Sequence, residues 1–292
     1  MTCGIKLSMS LIMLENARME FTAIENLVLE REAVLRLSCF AAVFVVMWLW
    51  EIVSPRRALS VSKLQRWTHN IGLLFFNSLV LRVLFPAAAV GIAYTAAESG
   101  WGLFNRVDLP YWLEVLVAVL LLDLAIYLQH MLMHRVPLLW RLHRVHHADL
   151  DIDMTTGSRF HTLEIIVSML IKWVVIFLLG PALLAVLIFE TLLNGMAVFN
   201  HANVRLAATI DRLLRLLLIT PDVHRVHHSI LRHETNSNYG FNLSIWDRAF
   251  GTYIDQPEKG HSAMTIGIPE FRDPEQVDRL PGMLTLPFVG KT

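Results

Sequence analysis

Four stretches of this chain are apolar enough, and long or nearly long enough, to cross a bilayer, and a bilayer permits few folds. A spanning helix takes about 20 mostly apolar residues. In hydrocarbon every backbone N–H and C=O must be paired, which leaves helices and closed barrels. The stretches run from about 34 to 53, 71 to 94, 111 to 134 and 165 to 198. The last is too long for one ordinary span and carries Gly180-Pro181 in its middle. Proline removes a helical donor and clashes with the preceding turn, so this stretch is expected to form a hairpin of two shorter spans. The expected fold class is all-α: a multi-span transmembrane helical bundle, about three spans plus a helical hairpin, with a helical cap on the cytosolic side. Composition agrees, since 17% of residues are charged against about 25% in a soluble domain.

Basic residues in short loops set orientation. Arg56, Arg57, Lys63 and Arg66 separate the first two stretches, Arg135, Arg141 and Arg144 follow the third, and the loop before the third holds only Arg106. The first two groups are therefore expected on the cytosolic side, and the hairpin returns the last third of the chain there. The expected organisation is an N-terminal leader over 1–33, a membrane-embedded domain over 34–255 and a C-terminal cytosolic tail over 256–292. The leader carries no convincing signal-peptide cleavage site. A formal charge of zero, with histidine neutral, provides no basic field for nucleic acid. The two cysteines, Cys3 and Cys39, form no CxxC, which argues against a thiolate site.

The unusual resource is histidine. Of thirteen, ten lie between His130 and His228. His130 and His134 share a helical face at the end of the third stretch, in line with Asp123 and Tyr127. The segment His143-Arg144-Val145-His146-His147 recurs unchanged as His224-Arg225-Val226-His227-His228. On a helix each copy is expected to present three imidazoles together. Neutral imidazoles gain little from crowding and protonated ones repel, so the convergence points to metal, which imidazole binds well. Eight such nitrogens exceed one tetrahedral zinc site and suffice to begin two metal sites of higher coordination. His161, just before the hairpin, and His201, where it returns, are read as further ligands or as groups that orient one. Glu190, in an apolar span, is read either as an acceptor behind a ligand or as a paired structural acid. His69 and His261 stand alone and are expected at the surface or interface. His233-Glu234 is no zincin motif, because Ser237 stands where the second histidine would be.

His130-x3-His134, His143-x2-His146-His147 and His224-x2-His227-His228 resemble the three histidine boxes of the fatty acid hydroxylase/sterol desaturase superfamily. The runs Phe199–Val204 and Thr220–Tyr253 are similar to family segments as well. The resemblance covers roughly residues 65 to 255. It implies two non-haem irons, with O2 as co-substrate, in an integral membrane enzyme that hydroxylates or desaturates a C–H bond of a lipid entering from the bilayer. It implies supporting roles for Asp123, Glu164, Glu190 and Asn238. No His-Pro-Gly-Gly haem motif is present, so electrons are expected from a separate donor, a cytochrome b5-like protein, a ferredoxin or a reductase. The competing reading is a metal-binding membrane protein or metal transporter without oxygenase activity. It is disfavoured because a transporter places polar residues near the midplane of several spans, whereas here the histidines lie at span ends.

Overall fold

The computed structural model describes residue 28 and residues 30–85 and 88–290. Most of the expected leader, 1–27 and residue 29, lies outside the described residues. The chain forms α1 (Glu32–Val53), α2 (Lys63–Leu84), α3 (Ala88–Glu98), α4 (Tyr111–Arg135), α5 (Pro137–His147), α6 (Thr162–Leu179), α7 (Leu183–His201), α8 (Ala208–Leu214) and α9 (Pro221–His227). Shorter helices follow, the last α-helix being Leu280–Thr285. Among the described residues there are isolated β-bridges but no strand. Among the described residues, five helical stretches are long and apolar enough to cross a membrane: α1, Lys63–Glu98, α4, α6 and α7. The protein is an all-helical, multi-pass membrane protein.

The hairpin breaks where the sequence demands. Gly180 ends α6 with φ of 57° and ψ of 49°, and Ala182 opens α7. A Cβ at Gly180 would fall 2.2 Å from the Trp101 carbonyl, so this left-handed turn needs glycine. That approach lets Leu103 and Phe104 donate to the carbonyls of Leu178 and Leu179 at 2.9 and 2.8 Å. The hairpin tip and the α3–α4 loop therefore share one end of the bundle. The histidine-bearing ends of α4 and α7 lie at the other.

Between them α3, α4, α6 and α7 bury Ala89, Ala93, Leu122, Ile176, Val186 and Phe189. The small residues allow the close approach on which helix packing in lipid depends. Outward-facing Val34, Leu37, Phe75, Leu79, Val83 and Leu178 stay exposed, as suits helices solvated by lipid. Glu190 sits on α7 with Lys172 of α6 at 2.7 Å and Arg36 of α1 at 2.9 Å. It is the paired structural acid, and it does not support a histidine.

The second span differs most from expectation. Its helix starts at Lys63, eight residues before the apolar run, capped by Ser62, whose hydroxyl accepts from Gln65 N at 3.4 Å. The early turns bury Arg66 and Asn70. Arg66 forms a bidentate pair with Asp149 at 2.7 and 2.8 Å and reaches Asp153 at 2.5 Å. Hydropathy hid this part of the helix because an arginine paired inside the fold looks polar in sequence. The C-terminal residues fold back onto α5: Val277, Met283 and Leu286 are buried with Leu73, Val145 and Ala148. Arg144 donates to the carbonyls of Leu286 and Val289.

Candidate metal centre

Nine histidines meet at the end of the bundle, in two groups. His130, His134, His143, His147 and His227 form one; His146, His201, His224 and His228 form the other. Within each group the available ligand nitrogens lie within 4.8 Å of one another. All nine rings are buried except His134, which is half-buried.

The repeated segment is divided between the groups. From α5, His143 and His147 join the five-histidine group and His146 joins the other. From α9 and its end, His224 and His228 join the four-histidine group and His227 crosses to the first. Helical geometry explains it. At about 100° per residue, positions i and i+4 point within about 40° of each other, while i+3 lies about 60° to the other side. The expectation that each triplet acts on one face is thus corrected: each copy gives a pair to one group and a single ring to the other. The copies interlock, with His147 and His228 stacked at 4.6 Å. The other residues of the motif also match. Val145 and Val226 are fully buried, while Arg144 and Arg225 are buried with outward anchors, Arg225 on Asp222.

Tautomers follow from the partners of each Nδ1. His130, His146, His201 and His227 place Nδ1 on the carbonyls of Tyr239, Arg159, Ala197 and Ser237 at 2.8, 3.3, 2.7 and 2.6 Å. A carbonyl only accepts, so Nδ1 carries the proton and Nε2 carries a bare lone pair. His143 Nδ1 meets Glu164 Oε1 at 2.6 Å, a carboxylate behind a ligand. The bare Nε2 atoms of His130, His143 and His227 then face each other, as do those of His146 and His201, which the Nε2 of His224 joins. His130 lies 3.1 Å from both His143 and His227, and His201 lies 3.1 Å from His146 and 3.0 Å from His224. Lone pairs at such distances repel unless a cation lies among them.

Burial supports the same conclusion. Desolvation and neighbouring imidazoles hold His146, His147, His224 and His228 well below the usual histidine range. Burial and then His143 bring His227 to about 3. These rings are neutral at pH 7, the state that ligates metal. Both ring nitrogens of His134, His147 and His228, and Nδ1 of His224, are buried without a hydrogen-bond partner. Buried polar atoms are normally paired, and two metals would satisfy one nitrogen on each ring. The donor set fits such ions.

Not every expected residue joins. His161 stands outside both groups: its Nδ1 accepts from Leu163 N at 3.1 Å, capping α6, and its Nε2 donates to Leu284 O at 3.2 Å. Asp123 touches no histidine and accepts from Asn242 and Trp246, each at 2.8 Å. Asn238 acts through its neighbours. It adopts φ of 50° and clamps Val223 O and Ile254 O at 2.9 and 2.8 Å, which sets the flanking carbonyls of Ser237 and Tyr239 on His227 and His130. His261, expected at the surface or interface, is buried beside Asp222.

Several positioning residues escaped sequence reading. Asp247 accepts from the N–H groups of Tyr239 and Gly240, both at 2.8 Å. Thr252 donates to Asp247 at 2.6 Å and so accepts from the Tyr127 hydroxyl at 2.9 Å. Buried Glu51 accepts from Met154 N at 2.8 Å and Asn203 N at 2.9 Å, tying the loop after α5 to the end of α7. Burial alone would raise the Asp149 carboxyl, but Arg66 and Arg159 hold it at about 2. Arg159 also donates to Val145 O at 2.9 Å. The one sequence sign of this layer was the run Asp149-x-Asp151-x-Asp153 just after the second histidine segment.

Comparison with known proteins matches residues 115–252 to the family model described as fatty acid hydroxylase. The chain is 30% identical over 184 residues to an ornithine lipid hydroxylase, OlsE, of Rhizobium tropici, covering 63% of this chain and 54% of that protein. It is 30% identical over 214 residues to the alkylglycerol monooxygenase of Xenopus tropicalis, covering 71% and 46%. The Homo sapiens alkylglycerol monooxygenase is 30% identical over 200 residues, covering 68% and 41%. The chain thus spans about half the length of these relatives. No solved structure matches it. The matched region holds His130 to His228 and both groups. The chain therefore contains a fatty acid hydroxylase domain over residues 115–252 and belongs to the fatty acid hydroxylase/sterol desaturase superfamily.

Proposed function

We propose that the chain is a membrane-bound oxygenase that hydroxylates a C–H bond of a lipid at a pair of non-haem irons, one in each histidine group. The observation that carries this reading is the double convergence of imidazole Nε2 atoms at 3.0–3.1 Å at the end of a bundle of apolar helices. Its relatives are named for hydroxylation of ornithine lipid and monooxygenation of alkylglycerol, which favours oxygen insertion over desaturation.

Two irons, once bound and reduced, would supply the O2 activation that C–H oxidation needs, with electrons from a separate protein donor. The chain's own residues do the rest. The Ser237, Tyr239, Ala197 and Arg159 carbonyls hold each Nδ1 proton, so Nε2 stays free and aimed inward. Glu164 holds the His143 Nδ1 proton and fixes the orientation of that ring as a ligand. Phe160 stacks on His146 at 4.4 Å and 12°, shielding the centre from water. A lipid chain would enter sideways from the bilayer, past the apolar flanks of the spans.

Arg56, Arg57, Arg135, Arg141 and Arg144 lie toward the histidine end, which supports a cytosolic position for it. Arg66 adds little to that argument, because its charge is absorbed by Asp149 and Asp153. The test is anaerobic purification with metal analysis, followed by comparative lipidomics of cells making wild-type or His146→Ala protein. The expected result is iron in the wild type, less in the variant, and a lipid gain of one oxygen in wild-type cells alone. Wild-type protein without a transition metal, or lipids identical in both strains, would overturn the reading.

A further inference from the structure

Beside the point where α1 and α7 end lies a cleft of about 670 Å³, separate from the histidine groups. Arginines 56, 205, 212 and 215 and aspartates 211, 222 and 255 line it. The aspartates are all engaged: Asp222 with Arg56 and Arg225, and Asp211 and Asp255 with Arg215. Arg205 and Arg212 are exposed, and among the described residues their side chains have no hydrogen bond or ion pair. The free charge of the cleft is therefore positive.

The same segment is apolar on its other side. Ile210, Leu213, Leu216 and Leu217 are 52–64% exposed, and Phe250 nearby is 54% exposed. Leu217 O accepts from Ser244 N at 2.9 Å, and Leu218 pairs with Leu243. That neighbouring strip reaches α4 through Trp246 and Asn242 on Asp123, and through Phe250 stacked on Tyr127 at 5.3 Å. Asp123 lies about 18 Å along α4 from Tyr111 at 1.5 Å per residue, whereas a hydrocarbon core is about 30 Å thick. The strip thus meets the bundle at bilayer depth, and its leucines emerge at the boundary between headgroups and acyl chains.

We propose that residues 205–217 form an interfacial foot, in which Arg205 and Arg212 bind the phosphate of an anionic membrane phospholipid while Ile210, Leu213, Leu216, Leu217 and Phe250 enter the acyl layer. This rests on the membrane-spanning reading of the helices and not on the metal centre.

Native mass spectrometry of the full-length protein in detergent tests it, with phosphatidylglycerol or phosphatidylcholine added and inorganic phosphate as competitor. Wild-type protein is expected to retain phosphatidylglycerol in preference to phosphatidylcholine. Arg205→Gln/Arg212→Gln is expected to lower that retention about 25-fold, from the usual strength of two surface arginines at an anionic membrane. Leu213→Ser/Leu217→Ser should lower it as well. Equal retention by the arginine variant would overturn the proposal. So would displacement of the lipid by inorganic phosphate as effectively as by excess phosphatidylglycerol, which would mark a soluble-anion site. Loss of binding to an acidic electron-donor protein in the arginine variant, with lipid retention unchanged, would likewise overturn it. Iron content of the same samples separates a fault in the metal centre from a fault here.

Discussion

The two histidine groups are built from the same five-residue segment used twice, yet they are not equivalent. The first has five histidines, two of them from a membrane helix, and a carboxylate behind His143. The second has four, and the Nδ1 atoms with a partner there rest on backbone carbonyls. One group can lose a ligand and keep four; the other then keeps three. A carboxylate behind an imidazole strengthens it as a ligand, and removing such a partner typically costs 10- to 100-fold in metal affinity. The difference implies a tighter, more saturated first site and a second site with more coordination left open.

The largest effect is therefore expected at the second group. His201→Ala should remove about half the iron and lower lipid oxidation by about 100-fold, the upper end of the loss expected when a metal-supporting group fails; metal analysis and product mass spectrometry check both. His134→Ala, in the five-histidine group, should retain more iron than His201→Ala. The reverse order would break the comparison.

Breaking the buried Arg66–Asp149 pair comes next. Arg66→Met takes from the buried carboxylates of Asp149 and Asp153 the guanidinium that pairs with both, at a cost of about 3–5 kcal/mol, read as a lower thermal midpoint. Glu164→Gln should weaken metal binding at the first group about 10- to 100-fold and spare the second, seen in a chelator titration as one metal released early. The smallest effect is expected for His161→Asn. Asparagine caps helices well, so iron content should match wild type and stability should shift by less than about 1 kcal/mol. Loss of iron in this variant would return His161 to the ligand set.

What could be read from sequence followed physical scale. Bilayer thickness makes spans legible, and Gly180-Pro181 marked the hairpin because few residues tolerate that turn. The histidine segments were legible because metal is the simple reason for such crowding. Their division into two groups was not, since it depends on how α5 and α9 rotate against each other. His161 and His201 looked alike in sequence, each a lone histidine beside the hairpin. They differ because His161 precedes a helix and spends Nδ1 on its cap, whereas His201 ends one and turns Nε2 to its neighbours. Glu51, Arg66, Asp149 and Arg159 stayed hidden because a buried ion pair shows only once its partners, 83 positions apart for Arg66 and Asp149, are brought together.

Each of the two groups is expected to hold a metal. Metal analysis of the full-length protein, purified without oxygen and reconstituted in lipid, tests it most directly, with His201→Ala as the paired sample. Two irons are expected per wild-type chain, one for each histidine group, and about half as much in the variant. A wild-type chain saturating at a single metal, or a variant that keeps the full complement, would contradict it.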